Sequence, residues 1–264
     1  MTTFVHISDL HFGRILTDVL VGLKQKIESI KPDMIIISGD LTQRATEKEY
    51  QQAADFLNDI NTPYFIIPGN HDLSTFRIIE RFFWPWRKWH KWVQRELEAQ
   101  YTNDNYQLIG INTARKAGFY MDWSRGRISS SQIKHITKQV MEAPEHQLQL
   151  LVAHHPFWLP SEYEARHLIG GRDKALASFK DTGLDLILSG HVHVDYCRVV
   201  DGIIVSHAGT TTSDRLLPKH TNSFNIISGD KSTLTIARHH WHQDEFQLSA
   251  TQTFYRDNGG WHEQ

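Results

Sequence analysis

Met34-Ile35-Ile36-Ile37-Ser38-Gly39-Asp40 is the stretch whose reading decides the fold. An unbroken apolar run without polar alternation describes a strand buried on both faces, as in a parallel sheet covered by helices. Working outward, a helical stripe of Val19, Leu20, Leu23, Ile27 and Ile30 precedes it, with Thr17 read as the N-cap and Lys31-Pro32-Asp33 as the stop. Thr46-x-x-Glu49 follows as a capping-box pattern, and Tyr50, Ala53, Ala54, Leu57 and Ile60 form the next stripe. Short apolar runs at residues 3–8 and 64–67 bracket the whole. The order strand, helix, strand, helix, strand predicts parallel pairing through right-handed crossovers.

Further along, residues 106–111, 148–153 and 184–188 read as strands and 172–180 as a helix; another helix, capped by Ser130, runs to about residue 141. A polar loop passes through Gly118 and Gly126. After His193 the runs shorten, at 196–200, 203–207, 224–228 and 233–238, which predicts an antiparallel closing section in a second sheet. Without an internal repeat, low-complexity tract or interdomain linker, residues 1–264 read as one domain of α/β (α+β) class.

Composition is that of an ordinary globular chain, and a formal net charge of −2 gives no global field toward nucleic acid or membrane, so no nucleic-acid partner is expected. Cys197 is the only cysteine, which excludes an intrachain disulfide and cysteine-based metal sites. A chain that enters a strand directly, with no signal peptide and no run long enough to cross a bilayer, is expected in the cytoplasm.

The strand-like runs also share an ending. They lead into Asp9-x-His11, Gly39-Asp40, Gly69-Asn70-His71-Asp72, His154-His155 and Gly190-His191-x-His193. Loops at strand ends are where such sheets gather their chemistry. In extended backbone, residues two apart point the same way, so Asp9 with His11, and His191 with His193, are expected to reach a common ion. Gly39 and Gly190 precede ligands where a missing side chain lets the backbone turn closely. Each segment alone is ordinary turn chemistry; all of them in this order, each behind a strand, form a metal-ligand set.

This pattern resembles the calcineurin-like metallophosphoesterase superfamily, and more narrowly its bacterial cyclic-nucleotide and glycerophosphodiester phosphodiesterases. The resemblance implies a metallophosphoesterase β-sandwich of two mixed sheets flanked by helices. It implies that Asp9, His11, Asp40 and His193 hold one divalent ion, that Asp40, Asn70, His154 and His191 hold the other, and that Asp40 bridges them. His71 would face the phosphate as general acid, with Asp72 orienting it, and His155 would stand outside the ligand set. Manganese, iron or zinc suits so many nitrogen ligands. The activity implied is cleavage of a phosphodiester by a hydroxide held between the metals. Phospholipase C-like release of phospholipid headgroups, cyclic-nucleotide hydrolysis and a non-enzymatic metal-binding scaffold are the alternatives.

Four of the eight tryptophans fall between Trp84 and Trp92, inside an expected cap-helix insertion at about residues 74–100. On a helical wheel Trp86, Trp89, Val93 and Leu97 oppose Arg87, Lys88, Lys91 and Arg95. That pattern fits a cap packed on the domain with a solvated basic face, an interfacial helix on the inner membrane surface with a phospholipid as partner, or a dimer interface. Arg115 and Arg215, on loops, are each open as phosphate contacts or as structural residues. His239, His240, His242 and His262 read as surface histidines.

Overall fold

The computed structural model describes residues 1–74, 78–116, 124–257 and 259–264. Residues 75–77 of the expected insertion and Gly118 of the expected loop lie outside them.

Strands β1 (Thr2–Ile7), β2 (Met34–Ile37) and β3 (Tyr64–Ile66) pair in parallel in one sheet, with α1 (Thr17–Ile30) and α2 (Glu47–Asp59) as the crossovers. The first helix enters through Leu16 without a side-chain cap, so Thr17 is its first residue, and Lys31 closes it at a φ of 51°. The second has the full capping box: Thr46 accepts from Glu49 N, and the Glu49 carboxylate accepts from Thr46 N. Leu23, Ile27, Tyr50, Ala53 and Leu57 face one apolar cluster with Val5, Ile7, Ile35 and Ile37.

The second sheet has the order β4-β5-β6-β7-β9-β8, from β4 (Gln100–Thr102), β5 (Tyr106–Ile111), β6 (Leu148–Ala153), β7 (Leu186–Ser189), β8 (Tyr196–Val200) and β9 (Ile203–His207). Its central pairs are parallel. Helix α5 (Ser130–Glu142) starts from Ser129, one residue before the expected cap, in a capping box with Gln132, and packs with α6 (Arg172–Phe179) on the outer apolar face.

The closing section corrects the expectation of a second-sheet hairpin series. Strand β8 does pair antiparallel with β9, but β9 is parallel to β7. Strands β10 (Ser223–Gly229), β11 (Thr233–His242), β12 (Glu245–Asp257) and β13 (Gly260–Glu263) instead return to the first sheet, giving the order β13-β12-β11-β10-β1-β2-β3. Strand β12 is 13 residues long and largely unburied, so its polar residues hide the strand pattern. The two sheets face each other across a core that includes Phe4, Ile36, Leu150, Leu188, Ile236 and Trp261. Beyond β3, α3 (Ile78–Phe83) and α4 (Arg87–Trp92) are single short helices.

Trp86 and Trp89 are buried in the first cluster, with Trp92, Val93 and Leu97 against it. Of the expected basic face, Arg87, Lys91 and Arg95 are exposed, but Lys88 is buried, donating to Ser74 Oγ at 3.1 Å and pairing with Glu80 Oε1 at 2.9 Å. Ile79, Phe82, Phe83 and Trp84 are exposed hydrophobic residues of this segment, at 71%, 44%, 72% and 61%. His239 is likewise buried rather than on the surface, stacked on Phe224.

Candidate metal centre

The five segments converge at the C-terminal ends of β1, β2, β3, β6 and β7. The convergence is not made by extended backbone. Strands β1 and β7 stop at Ile7 and Ser189, and Asp9, His11, Asp40, His191 and His193 all sit at positive φ, from 51° to 74°. That backbone is costly for residues other than glycine and survives only where the surroundings enforce it. Here the enforcement is visible: Asp9 N donates to Gly39 O at 3.1 Å, His11 N to Asp40 O at 3.0 Å, and His191 N to Asp9 Oδ2 at 2.8 Å. Gly39, at a φ of 102°, leaves room for His154; a Cβ there would lie 2.6 Å from His154 Nδ1.

Three groups of donor atoms lie close enough to share an ion: Asp9, His11 and His193; Asp9, Asp40 and His154; and His154, His155 and His191. Asp40 Oδ2 is 3.9 Å from His11 Nε2 and 3.2 Å from His154 Nε2, between the two sides of the pocket. His193 Nε2 is 3.2 Å from Asp9 Oδ1.

The hydrogen bonds decide whether these residues fit a cation. His11 Nδ1 faces Thr42 O, His193 Nδ1 faces Arg215 O and His154 Nδ1 faces Ser38 O, at 3.4, 2.7 and 2.8 Å. A carbonyl only accepts, so each Nδ1 carries the proton and each Nε2 turns a lone pair inward. Asp9 Oδ1, Asn70 Oδ1 and His154 Nε2 are buried without hydrogen-bond partners. Buried acceptors facing one another without donors are what a metal site looks like before the ion is counted.

Electrostatics agree. Burial would raise Asp9, but His193 and His11 hold it well below the carboxylate range. Burial opposes ionisation of Asp40 too, and the neighbouring histidines, His154 first, outweigh it and hold it far down. Burial pushes His11 down to about 4 and His191 well below its ordinary value, keeping both rings neutral. Burial also works against charge on His154, yet the Asp40 carboxylate raises it to about 9, so without a metal a proton takes the cation's place there.

His155, although within reach of His154 and His191, has both ring nitrogens engaged: its Nε2 donates to Ser124 O and its Nδ1 accepts from Thr113 Oγ1, both at 2.7 Å. Asp72 corrects an expectation. It does not touch the His71 ring. Its carboxylate accepts from Leu41 N, Thr42 N, Thr42 Oγ1 and Gly69 N at 2.9–3.3 Å, tying the loop after β2 to the loop after β3. His71 is oriented by Gln43 O, 2.8 Å from Nδ1. Of the two open arginines, Arg215 enters the pocket, its Nη1 2.9 Å from His71 Nε2. Nothing in the local sequence around Arg215 announced this; only the return of β10 beside β1 brings its loop over the site.

This fold and this set of inward-facing donors define a metal-dependent phosphoric ester hydrolase. The chain belongs to the calcineurin-like phosphoesterase family, whose model matches residues 2–195. The family uses a dimetal centre, and the His/Asp clusters are compatible with one. The chain is similar to a probable glycerophosphodiester phosphodiesterase GpdQ of Arcobacter nitrofigilis, 23% identical over 81% of this chain and 76% of that protein. It is similar as well to the 3',5'-cyclic adenosine monophosphate phosphodiesterase CpdA of Escherichia coli, 25% identical over 72% of this chain and 68% of the relative. In fold it matches the purple acid phosphatase PPD1 of yellow lupin, with a TM-score of 0.72 and 16% identity, across 97% of this chain and 54% of that one.

Proposed function

We propose that this chain hydrolyses small phosphodiesters at a two-metal centre. The observation that carries the reading is the gathering of carboxylates and inward-facing histidine Nε2 atoms around one pocket, with each Nδ1 of His11, His154 and His193 committed to a backbone carbonyl. Asp9, His11, Asp40 and His193 would hold one ion, and Asp40, Asn70, His154 and His191 the other, with manganese, iron or zinc as the metals. When bound, such a pair of ions supplies Lewis-acid activation of water and of the phosphoryl group.

The chain's own residues supply the rest. His71 N donates to Asp40 Oδ1 at 2.8 Å, which locks the His71 backbone to the carboxylate between the two clusters. The ring is held from Nδ1 by Gln43 O, so Nε2 is the nitrogen that faces the pocket. In its protonated form, His71 would give that proton to the leaving alkoxide oxygen, a step worth on the order of 10²–10⁴-fold. Asp72 contributes by fixing the loops that carry Asp40 and Asn70. The relatives support a diester substrate, glycerophosphodiester or cyclic nucleotide. The test is a metal-reconstituted activity panel over both classes, an intact phospholipid and a phosphomonoester. Turnover of the monoester alone overturns the reading.

A second reading, phospholipid headgroup release, is favoured by the exposed Ile79, Phe83 and Trp84. Exposed apolar residues of this kind are what a protein dips into a bilayer surface. Co-sedimentation with anionic liposomes tests it. Ile79→Ser/Phe83→Ser/Trp84→Ser should abolish binding, and no binding by the unaltered protein removes the lipid role.

A further inference from the structure

Arg215 is a cation whose partners are all acceptors of the site. It lies between β9 and β10, half-buried, and its guanidinium Nη1 is 2.9 Å from His71 Nε2, 3.3 Å from His11 Nε2 and 3.5 Å from Gln43 Oε1. No carboxylate among the described residues pairs with it. Its backbone is anchored independently: Arg215 O accepts from His193 Nδ1 at 2.7 Å, and Arg215 N donates to Ser213 Oγ at 3.3 Å. Position comes from the backbone, which leaves the guanidinium free for another task.

Donor and acceptor roles fix the state of His71. A guanidinium only donates, so His71 Nε2 must offer its lone pair. His71 Nδ1 faces the Gln43 carbonyl and must carry the proton. The resting ring is therefore the neutral Nδ1–H tautomer with Nε2 covered by Arg215. An ion pair is missing from this arrangement, and a phosphate ester would supply it. Guanidinium and phosphoryl oxygens form short, charge-assisted hydrogen bonds that an imidazole acceptor cannot match.

We propose that Arg215 is the anion clamp of this enzyme, resting on His71 Nε2 and passing to a nonbridging phosphoryl oxygen when substrate enters. The move does two things at once. It holds the phosphate, and it uncovers Nε2 on the side where a leaving oxygen would sit. No proton or bond changes hands in the move itself. The proposal rests on the phosphoester-hydrolase reading and names the group that binds its substrate's charge.

Binding of inorganic phosphate to the Mn(II)-loaded protein, measured by titration calorimetry, tests it. Arg215→Gln should weaken phosphate at least tenfold, and Arg215→Lys should recover part of that loss, because it keeps the charge and loses the fork. Melting temperatures of the three proteins should agree within a few degrees. Nitrogen-15 NMR of the metal-free protein provides a readout independent of turnover: the His71 Nε2 resonance should move in Arg215→Gln, with Nδ1 still protonated. Unchanged phosphate affinity in Arg215→Gln overturns the clamp. So does an equal loss in the Gln and Lys variants accompanied by a large fall in melting temperature, which would mark Arg215 as a strut. If phosphate binding depends on Arg215 while the unaltered enzyme turns over no diester, the clamp stands and the diesterase reading falls.

Discussion

His11 Nε2 and His193 Nε2 face each other at 3.1 Å, and neither has a proton to offer, because both rings spend theirs on carbonyls through Nδ1. Two lone pairs at that distance repel unless a cation relieves them; the Arg215 guanidinium, 3.3 Å from His11 Nε2, does so from one side, and a metal ion between Asp9, His11 and His193 would do so from the other. Adding Mn(II) or Zn(II) to chelated protein should therefore raise the melting temperature. Binding to the folded state alone is worth about 2.7 kcal/mol at a hundredfold excess over Kd. His11→Ala and His193→Ala should each lose most of that increment. A melting temperature insensitive to both metals would contradict the metal centre.

Asp72 was expected to steer His71 and instead staples two loops, and the two roles predict different behaviour. Asp72→Asn replaces an acceptor oxygen by an NH2 that must face backbone N–H groups or the Thr42 hydroxyl. An opposed pair of buried donors costs about 1–3 kcal/mol. The expected result is a clear fall in stability and a shared loss of metal affinity, because the loops carrying Asp40 and Asn70 are no longer fixed to each other. Were Asp72 a steering group, kcat would fall with stability and metal affinity intact. Urea denaturation beside metal titration separates the two.

Much of this was legible before any coordinates. The run at Met34–Ile37 and the capping box at Thr46 and Glu49 are local signals, and local signals need no partner to be read. The ligand segments were legible because strand ends converge in any sheet of parallel strands. What was hidden depends on long-range geometry. The left-handed backbone of Asp9, His11 and His193 is imposed by loops from elsewhere in the chain. Lys88 is drawn inside by Glu80 and Ser74, contacts that a helical wheel does not contain. Arg215 reaches the pocket only because Asn225 of β10 lies opposite His6 of β1.

Glu47 joins α2 to α4 and gives a pH-dependent prediction away from the metals. Its carboxylate accepts from Trp92 Nε1 at 2.5 Å and pairs with Lys91 Nζ at 3.0 Å. The hydrogen bond from Trp92 is the largest cause holding Glu47 below its ordinary 4.5, followed by that from Lys91. A depressed acid stabilises the fold above its unfolded pKa and loses that contribution as pH falls through the folded pKa. Glu47→Gln should therefore melt slightly lower than the unaltered protein at pH 7. Exposed pairs of this kind contribute about 0.2–1 kcal/mol, less in high salt. The difference should shrink once pH drops below about 4.5 and vanish further down. A gap that stays constant from pH 7 to pH 3 would assign the contact no electrostatic role.

Gly190 offers the sharpest separation of site from fold. Its N–H donates to His154 O at 3.0 Å, and the next residue's N–H donates to Asp9 Oδ2 at 2.8 Å, so this one peptide corner joins three ligand segments. A Cβ at Gly190 would overlap Ser8 Oγ and Asp9 Oδ2. Its φ is not in the left-handed region, so Gly190→Ala adds crowding and no backbone strain. Crowding of this kind costs about 1–3 kcal/mol. The larger effect should fall on metal binding, because the atom displaced belongs to Asp9. Ser8 Oγ donates to Asp9 Oδ2 at 2.7 Å, so the two obstacles are coupled. Ser8→Gly combined with Gly190→Ala should restore part of the stability, because the Ser8 side chain has gone, and little of the metal affinity, because Asp9 remains displaced. Such non-additivity is what neighbouring residues show in a double-mutant cycle. Full recovery of metal binding in the double variant would mean that Ser8 alone was in the way and that Asp9 does not depend on the glycine.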